Sequence, residues 1–249
     1  MICLVDMHCH LDFAGNAVKA ARAAEAAGVA MYSCMVHPAG YDEQVERLAE
    51  CENVRVGLGL HPWWVADGRA DDADVAGMVS RIPDVRYVGE VGLDFGKRHG
   101  QRIDAQEAAF TAVARACAES GGKLLSIHAV KSADAVLGIL EQTGCLEAND
   151  CILHWFSGTS QELTRAVRAG CWFSLGAPML STKRGRAYAK AIPADRLLLE
   201  TDWPGDPVAE MDIEDYLAKV EESAGLMRDI LGEDALARAA ESSLRLLDM

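Results

Sequence analysis

The sequence has no excess of positive charge: 24 lysines and arginines stand against 38 aspartates and glutamates, a formal net charge of −14 over 249 residues. That balance excludes a broad basic surface for gripping nucleic-acid backbones, so any nucleic-acid contact is local. No uninterrupted apolar run approaches the roughly 20 residues that cross a bilayer, because charges or glycines break every candidate. The opening residues lead straight into strand-like sequence, without the basic segment, apolar stretch and cleavage site of a signal peptide. The expectation is a cytoplasmic protein with no membrane contact. The eight cysteines, Cys3, Cys9, Cys34, Cys51, Cys117, Cys145, Cys151 and Cys171, form no Cys-x-x-Cys pair. Reduced thiols are therefore expected, and Cys3, Cys34, Cys151 and Cys171, inside strand-like runs, read as small buried hydrophobes. Low-complexity segments and Pro/Gly/Ser linkers are also missing, which points to one domain over 1–249, read as a monomer.

Short runs rich in Val, Ile, Leu and Tyr alternate with longer segments of helical period, eight pairs from end to end. The runs are ICLVDMH, VAMYSCMV, VRVGLGL, VRYVGEVG, KLLSIHA, CILHWF, CWFSLG and RLLLET, each almost continuously apolar, as a parallel strand buried on both faces is. Helices are expected near 15–27, 41–51, 71–81, 103–120, 132–143, 160–169, 182–191 and 212–231, with a last one near 233–247. Gly28, Gly121, Gly144 and Gly170 stand just past helical stretches, where glycine ends a helix. Phe110, Val113 and Cys117 recur at helical spacing and read as a core stripe. The pattern predicts an α/β fold, a TIM-type (β/α)₈ barrel, which occupies roughly 250 residues. A doubly wound open sheet is the alternative architecture; it is disfavoured because the first strand ends in histidines and not in a glycine-rich phosphate loop.

Metal-binding residue types occur at the C-terminal ends of strands one, four, five, six and eight, the ends that converge on one face of such a barrel. In DMHCHLD, His8 and His10 are two residues apart on a strand and point the same way, which lets two imidazoles chelate one cation. Cys9 between them points away, and Asp6, deeper on the same face, is placed to orient a ligand. Glu90 lies inside an apolar strand, where an unpaired carboxylate is costly and a metal removes the cost; a buried salt bridge is the competing explanation. His128 and His154 each follow an apolar run, and alone each reads as a hydrogen-bonded core histidine. Asp202 follows the last strand, with Glu200 two residues earlier, and a carboxylate there binds metal or takes a proton. Together the six residues point to one divalent-metal site. Imidazole and carboxylate without thiolate suit zinc, manganese, magnesium or iron. Six ligands exceed one tetrahedral zinc, so two ions sharing a carboxylate is the economical arrangement, and the chemistry implied is hydrolysis with Glu90 and Asp202 as catalytic residues.

DMHCHLD, GLHPWW, VGEVGLDF, IHAVK, HWFSG and ETDWP, spanning residues 6–204, resemble in order the motifs of the TatD family of metal-dependent deoxyribonucleases. The resemblance implies an amidohydrolase-type barrel with His8, His10, Glu90 and Asp202 around one metal, Glu90, His128 and His154 around the other, and Glu90 as the bridge. It implies a phosphodiesterase acting on DNA, often a 3′ exonuclease, in a family some of whose relatives are linked to D-aminoacyl-tRNA hydrolysis. His61 is then expected either to contact substrate near the mouth or to serve as a structural loop residue, with Asp202 orienting the attacking water or accepting its proton. Two departures stand out. The family's His-x-Arg is replaced by Ala129, Val130 and Lys131 after His128, and GDPVAEMDIEDY brings acidic sequence after ETDWP. Both reduce positive charge at the mouth. Lys97, Arg98, Arg102, Lys131, Lys183, Arg184 and Arg186 remain in loops as phosphate contacts or as ordinary solvated charges. Trp63, Trp64, Trp155 and Trp203 lie near the same mouth, to stack on a terminal base or to pack the loops. The rival readings are an amide or ester hydrolase such as a D-aminoacyl-tRNA deacylase, and a non-catalytic metal-containing binding protein.

Overall fold

A computed structural model describes residues 2–249. Its strands are β1 (Leu4–Cys9), β2 (Val29–Cys34), β3 (Val54–Gly57), β4 (Tyr87–Asp94), β5 (Leu124–Val130), β6 (Asp150–His154), β7 (Trp172–Leu175) and β8 (Leu197–Leu199). They form one sheet in the order β3-β2-β1-β8-β7-β6-β5-β4, parallel in each recorded ladder. The helices are α1 (Ala17–Ala26), α2 (Tyr41–Arg47), α3 (Pro62–Ala66), α4 (Asp72–Arg81), α5 (Ile103–Ser120), α6 (Ala133–Thr143), α7 (Cys145–Ala148), α8 (Ser160–Arg168), α9 (Ala177–Leu180), α10 (Lys183–Ala191), α11 (Ile213–Leu231) and α12 (Glu233–Leu246). The fold class is the TIM-type (β/α)₈ barrel read from the alternating pattern. Among the described residues no helix is long and apolar enough to cross a membrane.

The boundaries follow local chemistry. The Asp71 side chain accepts from Ala73 N and Asp74 N, while Asp74 reaches back to the Asp71 backbone, a capping box that starts α4. Thr159 and Glu162 do the same for α8, and Gly144, at φ 73°, ends α6 in the left-handed conformation. Phe110, Val113 and Cys117 of α5 are buried, as their spacing requires. Cys3, by contrast, is exposed: it lies one residue before β1, and only the other three strand-run cysteines are buried.

Two compact units divide the chain, one of residues 1–34, 42–56 and 173–249 and the other of 35–41 and 57–172. In the first, β1 pairs with β2 and with β8, and every residue of β2 and β8 is buried. Each fully buried Leu, Val or Met there contributes about 1.5–3 kcal/mol, whereas the exposed Arg22–Glu50 pair contributes less than about 1 kcal/mol. Apolar burial therefore decides the stability. Helix α2 ends four residues short of the expected 51, because Leu48 and Cys51 turn inward, both buried, into β3.

In the second unit β4, β5 and β6 pair in sequence. The runs expected to extend β2 and β3 also bond to β4: Leu58 N donates to Tyr87 O at 3.0 Å, Glu90 N to Met35 O at 2.7 Å and Leu60 N to Glu90 O at 2.9 Å, while His61 N donates to Val36 O at 2.9 Å. Gly59 sits where they meet; a Cβ there would lie 1.6 Å from Met35 O and 2.7 Å from Glu90 N. Gly92, at φ 135°, lets β4 approach β5 so closely that a Cβ would lie 2.1 Å from His128 O.

Candidate functional site

Each unit carries a cluster of imidazoles and carboxylates at its strand ends. In the first, His8 and His10 are buried and their Nε2 atoms are 3.3 Å apart. Asp202 Oδ1 lies 3.1 Å from His10 Nε2 and 3.6 Å from His8 Nε2. The segments are laced together: Asp202 N donates to His8 O at 2.8 Å and His10 N to Trp203 O at 2.9 Å. Asp202 is left-handed, at φ 58°, a conformation that a short polar side chain tolerates better than most. His10 Nδ1 is 2.7 Å from Cys34 O, and since a carbonyl only accepts, that nitrogen carries the ring proton.

The consequence is a test of whether a cation belongs here. With its proton on Nδ1, a neutral His10 turns an Nε2 lone pair toward the Asp202 carboxylate. Two acceptors 3.1 Å apart repel unless a cation or an extra proton lies between them. The donor set fits a divalent ion.

Asp6 does not orient an imidazole. Its Oδ1 accepts from Thr201 N at 2.9 Å and its Oδ2 from Thr201 Oγ1 at 2.6 Å and Tyr216 Oη at 3.2 Å. Burial pushes its carboxyl up to about 6, although those bonds and that from His8 N pull the other way. It thus ties β1 to the residue before Asp202. Glu200 is buried and accepts from Ser174 Oγ, so it too is occupied structurally.

In the second unit Glu90 is the hub. Its Oε1 lies 2.7 Å from His128 Nδ1, 2.8 Å from His154 Nε2 and 3.1 Å from His61 Nε2. His61 is buried beside Glu90, and its ligating atom falls within 4.8 Å of those of Glu90 and His128. Its Nδ1 accepts from Trp63 N at 3.1 Å as the N-cap of α3. The proton of a neutral ring is therefore on Nε2, and His61 donates to Glu90. The short helix α3, not foreseen from the sequence, thus starts at the residue that bonds Glu90.

His128 has carboxylates on both sides, since its Nε2 lies 3.0 Å from Asp94 Oδ2. Burial opposes charging the ring, but the bonds to Asp94 and Glu90 outweigh it and push the imidazole up to about 9. A neutral imidazole donates only once, so one of the two carboxylates faces a lone pair unless a proton or a metal intervenes. Sequence reasoning passed over Asp94, although a signal was present: it stands four residues beyond Glu90 on one strand and hence on the same face.

Of the remaining expected residues, Arg98 and Lys131 are exposed, and Trp155, the residue after His154, is 39% exposed. Lys131 and Trp155 are both left-handed, at φ 54° and 40°.

Residues 5–240 match the family described as TatD related DNase. The chain belongs to that family. Among relatives of this TatD-family chain, the 3′-5′ ssDNA/RNA exonuclease TatD of Pantoea ananatis is 30% identical over 78% of this chain and 75% of its own length. The enzyme of the same name from Citrobacter rodentium is 30% identical over 65% of this chain, a match spanning only 62% of that protein. Human deoxyribonuclease TATDN3 is 28% identical over 81% of this chain and 78% of its own length. In structure, the YJJV TatD homolog of Escherichia coli K12 superposes with a TM-score of 0.80 and 21% identity, covering 100% of both chains. The organophosphorus hydrolase of Deinococcus radiodurans shares the fold at a TM-score of 0.62 and 16% identity, over 98% of this chain and 92% of its own.

Proposed function

We propose that this TatD-family chain is a divalent-metal-dependent phosphodiesterase that removes nucleotides from the 3′ end of DNA. The observation that carries the reading is the surplus of acceptors over protons in both clusters when the rings are neutral: His10 Nε2 faces Asp202, and His128 stands between Glu90 and Asp94. The names of the relatives, exonucleases and deoxyribonucleases, supply the substrate class. One ion belongs with His8, His10 and Asp202, a second with Glu90, His128 and His154, and zinc, magnesium and manganese are all accommodated by such ligands.

When bound, a divalent ion supplies Lewis acidity, lowering the pKa of water and neutralising charge on the phosphate oxygens. The chain's own residues do the rest. Asp202, with its side chain 24% exposed, accepts the proton of the attacking water. His61 donates to Glu90 and holds that carboxylate in place. The indole of Trp155 offers a face for the terminal base, and Lys131 and Arg98 neutralise neighbouring phosphates locally. The exposed acidic residues Asp206, Glu210, Asp212, Glu214 and Asp215 after Asp202 favour a second reading, hydrolysis of an aminoacyl ester or amide, in which a long anionic strand is not required.

The experiment is cleavage of a 3′-labelled single-stranded oligonucleotide by metal-stripped protein with Mg²⁺, Mn²⁺ or Zn²⁺ restored singly, beside Glu90→Ala. Metal-dependent release of labelled mononucleotide, abolished in the variant, is the expected result. Hydrolysis of aminoacyl esters without any oligonucleotide cleavage favours the second reading.

A further inference from the structure

Asp94 is buried at the end of β4 and fixed from several sides. Its Oδ2 accepts Trp63 Nε1–H at 2.6 Å, its Oδ1 accepts Gly96 N–H at 2.7 Å, and its backbone N donates to Gln106 Oε1 at 2.8 Å. Gln106 Nε2 returns a bond to Asp94 O at 3.2 Å. Trp63 is itself held: the His99 ring stacks on it with centroids 4.4 Å apart and planes 16° apart, and its backbone is bound to His61. Against this rigid acceptor stands His128 Nε2 at 3.0 Å. A carboxylate that already receives two N–H donors is an acceptor only, so the nitrogen facing it carries a proton. In the neutral ring the opposite nitrogen, Nδ1, is then left with its lone pair on the Glu90 side, where Oε1 lies 2.7 Å away.

We propose that Asp94, held by Trp63, is a positioning residue that locks His128 as the Nε2–H tautomer and so makes Nδ1 its metal-ligating atom. Outer carboxylates of this kind fix ring orientation and raise ligand basicity. The proposal rests on the metal reading above and concerns only the ion of the second unit. Replacing Asp94 by Asn places an amide among groups that require an acceptor. Either its NH₂ meets Trp63 and His128, demanding the other tautomer, or it meets the Gly96 N–H.

The test is metal affinity, measured on stripped protein by competition with a chromophoric chelator for Zn²⁺ and Co²⁺. Asp94→Asn is expected to weaken one of the bound ions about 10–100-fold and leave the other unchanged. Trp63→Phe keeps the stack but loses the donor, and is expected to weaken the same ion by less. In zinc-loaded wild type with ¹⁵N-labelled histidine, His128 is expected to show a protonated Nε2 and a metal-bound Nδ1. This last measurement decides the matter even where Asp94→Asn fails to fold. A metal-bound Nε2, or an Asp94→Asn protein that folds and binds both ions as tightly as wild type, overturns the proposal. Wild type that binds no metal overturns the functional reading as well and is recognised before any variant is made.

Discussion

In the first unit the imidazole of His10 is held by a neutral partner, the Cys34 carbonyl 2.7 Å from Nδ1, whereas in the second His128 is held by the charged Asp94, 3.0 Å from Nε2. Both partners only accept, and both therefore fix a tautomer. They differ in what happens without metal. A carbonyl adds no net charge, but a second carboxylate opposite Glu90 stabilises an imidazolium, and His128 is accordingly pushed up to about 9. A metal held by Glu90 and His128 would have to replace the proton that lies between the two carboxylates.

Gly59→Ala should break this comparison most severely. The added Cβ would press on Met35 O and Glu90 N, and crowding of that kind costs about 1–3 kcal/mol. Because Glu90 moves with its backbone, the variant is expected to lose the ion of the second unit while keeping that of the first, as read by metal analysis of the purified protein. A smaller effect separates the clusters by pH. The His128 value is raised from 6.5 to about 9, so its contribution to stability is fully present below pH 6.5 and is lost as pH rises through 9. Thermal melts of metal-free protein should show Tm falling by roughly 5 °C across that window, and His128→Gln should flatten the slope.

Much of this was legible beforehand. The strands were readable because burial on both faces makes them continuously apolar, and α5 because its stripe, its length and its terminal glycine agree. The imidazoles and carboxylates of the two clusters were readable because a strand's period of two places polar residues at predictable ends. What escaped were elements whose reason lies in a partner. Helix α3 is five residues long, too short for periodicity, and is started by a histidine cap that also serves Glu90. Met35 and Leu58 look like ordinary strand residues, and their bonds to Glu90 and Tyr87 of β4 are fixed by the tertiary fold and not by any local pattern. His61 sits with Glu90 and not among exposed groups because its other nitrogen caps α3. Asp94 touches His128 at 3.0 Å, and its one mark in the sequence is its place four residues beyond Glu90 on the same strand.

The central claim, that each unit holds its own divalent ion, is tested most directly by calorimetric titration of metal-stripped protein. Wild type is expected to bind two ions per chain, and each of the double variants His8→Ala with His10→Ala and His128→Ala with His154→Ala is expected to bind one. A wild type that binds none, or a double variant that still binds two, would contradict it.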